Sequence, residues 1–216
     1  MRKLLASVVA LLLVGAPAVF AAGFVFVATP LDNDDLVDAE DLADDVPNCN
    51  AIAYWDESSQ GWIQHINNIP PNNFSVDVSM PYMATVTADG IWTLCGGVPD
   101  STTYLNLYTL AQGFSDIMLP LNMTYYTTAE AVIQTVSQCN VIAYWDAASQ
   151  GWVQHIQNIP PNNFTPRVGY PYMLTCQSAG SWPSSLPPAQ MVGDDAQVKS
   201  PSRPVLLNTA AQNADR

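Results

Sequence analysis

The 216-residue chain carries 19 acidic and only 6 basic residues, for a formal net charge of −13. No Lys or Arg occurs between Lys3 and Arg167. Phosphate backbones and anionic lipid surfaces are bound through Lys and Arg, so this composition excludes nucleic acid and anionic membranes as expected partners.

The N-terminal residues 1–21 have the layout of a secretory signal peptide. Arg2 and Lys3 precede an apolar run over residues 4–14, and small residues follow up to Ala21 and Ala22. We expect cleavage after one of these two alanines, followed by release to the exterior or the cell surface without membrane attachment. The alternative is an uncleaved membrane anchor, because residues 4–31 contain no charge.

The chain then repeats itself at an offset of 90 residues. Residues 48–83 and 138–173 are identical at 25 of 36 aligned positions. Two copies are fewer than a solenoid needs, so we predict two small modules, over residues 22–110 and 111–183. Residues 184–216 are rich in Pro, Ser and Ala and are predicted to form a flexible tail.

Each module is predicted to be α+β and mostly β, with one short helix on a mainly antiparallel sheet. In the first copy, we predict strands over residues 24–29, 81–87, 90–94 and 102–110. Apolar residues at helical spacing predict a helix over residues 38–46, and its counterpart over 128–136 has Thr127 or Thr128 available as N-cap.

A β-hairpin is predicted between the helix and the later strands. Two β-rich runs flank the polar loop 57–60, with Asp56 before it and Gly61 after it. Asp56 is suited to bonding the backbone two residues on, and Gly61 to a positive φ. A hairpin of this length places Trp55 near Trp62.

The four cysteines of an exported chain predict two disulfides. The repeat favours one bridge within each module, Cys49–Cys95 and Cys139–Cys176. A bridge between the equivalent cysteines, Cys49–Cys139, remains the alternative.

The aromatic residues recur in both copies and have two interpretations. They either form the core, because aromatic side chains bury large areas, or stack on the rings of a sugar ligand. We expect Trp62 and Trp152 to be the most exposed of them. The stacking candidates are Trp55, Trp62, Tyr82, Trp145, Trp152 and Tyr172.

An acidic run precedes the first helix, and it predicts either a solvated acidic face or a weak calcium site. Calcium binds several carboxylate and carbonyl oxygens. The sixth position of a calcium loop is normally glycine, and here it is Val37. The candidate ligands are Asp32, Asp34, Asp35 and Asp38.

One histidine occurs at the same position in each copy, as His65 and His155. Zinc requires three or four ligands, so a single histidine per module favours a structural role over a two-histidine site between modules. Strand alternation places His65 on the same face as Ile63.

The ordered motifs resemble a repeat module of large bacterial secreted and cell-surface proteins. They are Pro30-Leu31, the AEDL sequence at 39–42, the WDESSQGW sequence at 55–62 and the PYM sequence at 81–83, most of which recur in the second copy. The resemblance covers both modules and implies a non-catalytic accessory or surface unit.

The sequence contains no G-x-S-x-G, H-E-x-x-H or phosphate-binding loop. We therefore expect no enzyme and no cofactor beyond the candidate calcium. The predicted function is that of a secreted structural or adhesive protein, assembling with itself into a surface or filament subunit or binding other extracellular proteins. The alternative is a tandem carbohydrate-binding module that takes polysaccharide, and a secreted hydrolase is a third hypothesis.

Overall fold

A computed structural model describes residues 13–14 and 18–185. Most of the predicted signal peptide and nearly all of the predicted tail lie outside these residues. The strands are β1 (Leu13–Val14), β2 (Ala18–Phe20), β3 (Gly23–Ala28), β4 (Cys49–Asp56), β5 (Gly61–Ile66), β6 (Pro81–Val86), β7 (Gly90–Trp92), β8 (Cys95–Gly96), β9 (Tyr108–Leu110), β10 (Gly113–Met118), β11 (Cys139–Asp146), β12 (Gly151–Ile156), β13 (Pro171–Cys176) and β14 (Gly180–Trp182). The α-helices are α1 (Ala39–Asp45) and α2 (Ala129–Ile133).

Each copy of the repeat forms one four-stranded antiparallel sheet. The strand orders are β3-β6-β4-β5 in the first module and β10-β13-β11-β12 in the second, with the same register in both. The predicted fold class, α+β and mostly β with two tandem modules, is confirmed. Among the described residues, no helix is both long and apolar enough to cross a bilayer.

The β4–β5 hairpin forms as the sequence predicts. Trp55 lies directly opposite Trp62, and the Asp56 carboxylate accepts hydrogen bonds from the backbone N–H groups of Ser58 and Ser59. The expected positive φ falls on Gln60, at 53°, instead of on Gly61.

Both helices begin directly after a residue that is a favourable N-cap. Asp38 caps α1 and shares a capping box with Asp41, and Thr128 caps α2. Each helix buries one face against its sheet, where Leu42 and Ile133 are fully enclosed. Both helices are shorter than the predicted ranges 38–46 and 128–136: α1 ends at Asp45 and α2 at Ile133.

Short strand pairs extend each module beyond the predicted boundaries. β9 pairs with β14 of the second module, and β2 pairs with β7 of the first. The strand predicted over residues 102–110 is therefore only β9, because Asp100 caps a 3₁₀ turn at Ser101–Tyr104. Phe20 of β2 is buried in the first core, so cleavage after Ala21 would remove a strand that the second module retains.

The structure contains one of the two predicted disulfides. Cys139 and Cys176 face each other across β11 and β13 and are bonded. The predicted Cys49–Cys95 bridge is absent, and both residues are free thiols. The reason is the register: Cys49 faces Val86, while Cys95 lies exposed on β8.

Candidate functional site

The two modules dock through equivalent tryptophans. The indole N–H of Trp55 donates to the carbonyl oxygen of Phe114 at 2.9 Å, and that of Trp145 donates to the carbonyl oxygen of Phe24 at 2.7 Å. Each tryptophan also meets the ring of the same phenylalanine edge to face, at 6.1 and 6.4 Å between ring centroids. Each module therefore contacts the first sheet strand of the other module: the first module binds β10, and the second binds β3.

Two equivalent glutamines complete this docking. The side-chain oxygen of Gln60 accepts from the Phe114 N–H at 2.6 Å, and its side-chain nitrogen donates to the Phe114 carbonyl oxygen at 2.9 Å. Gln150 makes the same two bonds to Phe24, at 2.8 and 3.0 Å. The interface is thus self-complementary, as in a two-fold symmetric dimer.

The docked strands require glycine at their first position. Gly23 has φ 120° and Gly113 has φ 109°, a region that L side chains rarely adopt. A Cβ atom at either position would overlap the carboxamide of Gln150 or Gln60, respectively. Glycine therefore permits both the backbone conformation and the close approach of the glutamine.

An aromatic cluster lies at the centre of the docked pair. The ring of Phe26 is buried between Trp62 of its own module, at 6.1 Å, and Trp152 of the other, at 5.6 Å. The residue equivalent to Phe26 in the second module is Asp116, which is also buried. The pairing of modules is therefore symmetric in its tryptophan and glutamine contacts and asymmetric at the position of Phe26 and Asp116.

Trp62 and Trp152 are 38% and 40% exposed, which confirms that they are the most accessible of the predicted stacking residues. They lie on edge strands β5 and β12, and the alternate residues on the same face are exposed as well. We call these two sets the outer rows: Trp62, Gln64 and Ile66 in the first module, and Trp152, Gln154 and Ile156 in the second.

The remaining stacking candidates have other roles. Tyr82 and Tyr172 are each only 2% exposed and belong to the cores, so their assignment to ligand stacking is wrong. Their hydroxyl oxygens accept from the backbone N–H groups of Asp77 and Arg167, and burial raises the pKa of both phenols. Trp55 and Trp145 are partly buried, with their indole N–H groups committed to docking.

The two histidines are structural, and each pairs within its own module. His155 is buried, and its Nε2 lies 2.7 Å from the Glu130 carboxylate at the start of α2. His65 pairs in the same way with Glu40 of α1. These hydrogen bonds hold the pKa of Glu40 and Glu130 below the usual range. Each pair ties the helix to the hairpin.

The acidic candidates are spread over several local roles. Asp38 caps α1, the backbone of Asp32 pairs with Gly97, and Asp35 donates its N–H to the side chain of Asn33. Across residues 13–14 and 18–185, no three His, Cys, Asp or Glu side chains are gathered into a group that would hold a metal ion. Calcium binding by Asp32, Asp34, Asp35 and Asp38 stays a prediction.

The docking role of these residues was not predicted from the sequence: Trp55 and Trp145 were named as stacking candidates, and Gln60 and Gln150 were not named. The signal is the SQGW sequence that both copies retain, because its glutamine is kept while two preceding loop residues, Glu57 and Ser58, are replaced by alanine in the second copy. Comparisons with protein-family models, with curated proteins and with solved structures return no match. The function is therefore proposed from the geometry of this chain.

Proposed function

We propose that the chain is an exported, non-catalytic adhesive protein that binds an extracellular surface through its outer rows. The observation that carries this proposal is the exposed Trp-Gln-Ile pattern of β5 and its repetition on β12. The glutamine and isoleucine of each row belong to neither core cluster and make no contact in the docking described above. Exposed aromatic and aliphatic residues of this kind are typical of interaction sites.

The docking surface is a weak candidate for growth into a filament. Its self-complementary contacts are already made within one chain, between Trp55 and Phe114 and between Trp145 and Phe24. A contact of this type closes on itself, whereas a filament needs a head-to-tail contact. The proposal therefore assigns adhesion to the outer rows.

The charge of the described surface favours a neutral or basic partner. Arg167 is the only Lys or Arg within residues 13–14 and 18–185. An anionic partner would meet repulsion without compensating ion pairs.

Carbohydrate binding is the second candidate, and the composition of the outer rows favours it. A half-exposed indole ring offers a flat apolar face for a sugar ring, and the adjacent Gln64 and Gln154 offer amide donors and acceptors for hydroxyl groups. The two rows then give one chain two sites, which raises avidity for a polymer.

Replacement of both exposed tryptophans, in the double variant Trp62→Ala and Trp152→Ala, tests the proposal. We expect at least a tenfold loss of binding to whole cells or to immobilised polysaccharides, because truncation of a central interface tryptophan costs about 2 kcal/mol or more. The measurement is adhesion of the purified protein, together with a glycan array.

The matched control is Ile91→Ser. Ile91 is 61% exposed, more than either tryptophan, and it lies on β7 and not on the outer rows. The second copy has Ser181 at this position. This variant should bind as the parent does. Adhesion that persists in the double tryptophan variant would exclude the outer rows, and adhesion with a silent glycan array would assign a protein partner.

A further inference from the structure

Asp116 is a buried carboxyl group at the junction of the two modules. It lies on β10 and is 2% exposed, and its Oδ2 atom has no hydrogen-bond partner among the described residues. The first module has Phe26 at this position. Burying a carboxylate without a cation costs desolvation free energy, whereas the neutral acid is buried at a lower cost. The second copy therefore has, in place of an apolar phenylalanine, a side chain whose burial depends on its protonation.

A neighbouring carboxyl group belongs to Glu57 of the other module. Glu57 lies in the loop between β4 and β5, and its carbonyl oxygen accepts from the same Gln60 side-chain nitrogen that donates to Phe114, two residues before Asp116 on β10. Burial, and after it the charge of Glu57, raises the pKa of Asp116. The second module has Ala147 in place of Glu57. One half of the interface thus has a carboxyl group at each of these two positions, while the other half has Phe26 and Ala147 at the equivalent positions.

Within the part of the chain that the structure describes, no Lys or Arg side chain lies beside this pair. The other ionisable side chains that interact electrostatically with Asp116 or Glu57 are Tyr108 from β9, Tyr82 from β6 and Asp56 from β4. The one described basic side chain, Arg167, lies over the ring of Tyr170. Two carboxyl groups in contact under these conditions retain one proton between them.

We propose that a proton shared by Asp116 and Glu57 latches the two modules together, so that their docking loosens when this proton is lost. In the latched state, the Asp116 carboxyl O–H donates to the Glu57 carboxylate. Loss of the proton to water leaves two anions in contact at a buried position, and their repulsion opposes docking.

The direction of the effect follows from the two pKa shifts. Burial raises the pKa of Asp116 well above its usual range, and burial also raises the pKa of Glu57. A carboxyl group of this kind contributes stability that is complete below its ordinary pKa of about 4 and is lost as the pH rises through its folded-state pKa. Docking is therefore strongest in acid and weakens toward neutral pH.

A local measurement is needed, because Glu40 and Glu130 have lowered pKa values and change the stability of the whole chain in the opposite direction. The indole N–H groups of Trp55 and Trp145 allow such a measurement, because both are hydrogen-bonded across the interface between the modules. Their exchange with solvent is measured by NMR in the full chain at pH 5 and pH 8, after correction for intrinsic exchange.

We expect protection of these hydrogens to fall at least tenfold from pH 5 to pH 8 in the parent and to stay constant in Glu57→Ala and Asp116→Asn. Glu57→Ala introduces the residue of the second copy, so it keeps the test valid if Asp116→Asn does not fold. Asp100→Asn replaces an exposed carboxyl group that caps the 3₁₀ turn instead, and it should retain the tenfold fall. Constant protection in the parent, or the same fall in Glu57→Ala, would overturn the latch.

Discussion

Loss of the Cys139–Cys176 bridge should lower the free energy of unfolding of the second module by about 4 kcal/mol. The bonded cysteines are separated by 37 residues, and the cross-link removes the entropy of that loop from the unfolded chain. Cys139→Ala, or reduction of the parent, should therefore shift urea unfolding of the second module. The first module, which has no bridge, should be unaffected by reduction.

The first module offers a matched pair of variants for this prediction. Val86 lies opposite Cys49, as Cys176 lies opposite Cys139. Val86→Cys should therefore form a new bridge with Cys49 and stabilise the first module by a similar amount, whereas Cys49→Ala should change its stability little. Peptide mapping without reduction identifies the bonds, and a Cys49–Cys95 bond in the parent would contradict this account.

Gly113→Ala should separate the two modules without unfolding either sheet. A methyl group at this position meets the carboxamide of Gln60, and the positive φ adds about 1–3 kcal/mol of backbone strain. Both bonds from Gln60 to Phe114 are expected to break, at roughly 1 kcal/mol each. The expected total is therefore several kcal/mol, concentrated at the interface.

Small-angle scattering and tryptophan fluorescence measure this separation. The control is Gly61→Ala, because Gly61 has no positive φ and a Cβ there meets its nearest neighbour, the Ser59 hydroxyl oxygen, at an ordinary 3.7 Å. Gly61→Ala should leave the particle compact, while Gly113→Ala should enlarge it. Equal dimensions for the two variants would show that glycine at position 113 is not needed for docking.

Local structure could be predicted from the sequence because short-range patterns determine it. The turn at Asp56, the cap at Thr128 and the cross-strand pair Trp55–Trp62 each depend on a few neighbouring residues, and all three are present. The exposure of Trp62 and Trp152 also follows from strand alternation on one sheet face.

Long-range pairing could not be predicted in the same way. Whether Cys49 faces Cys95 or Val86 depends on the order and register of strands that are distant in sequence. The burial of Tyr82 depends on Phe74, which stacks on its ring from the loop that precedes β6, and the approach of the Glu57 loop to β10 depends on docking of the two modules. The repeat contained part of this information, since Phe26 and Asp116 are equivalent positions with opposite chemistry.

Reciprocal docking of the two copies is the central claim, and a nuclear Overhauser measurement on the full chain tests it most directly. The account predicts cross-peaks between the indole of Trp55 and the ring of Phe114, and between the indole of Trp145 and the ring of Phe24. It also predicts slow exchange of both indole hydrogens. Absence of both sets of cross-peaks, with both hydrogens exchanging as fast as those of free tryptophan, would contradict it.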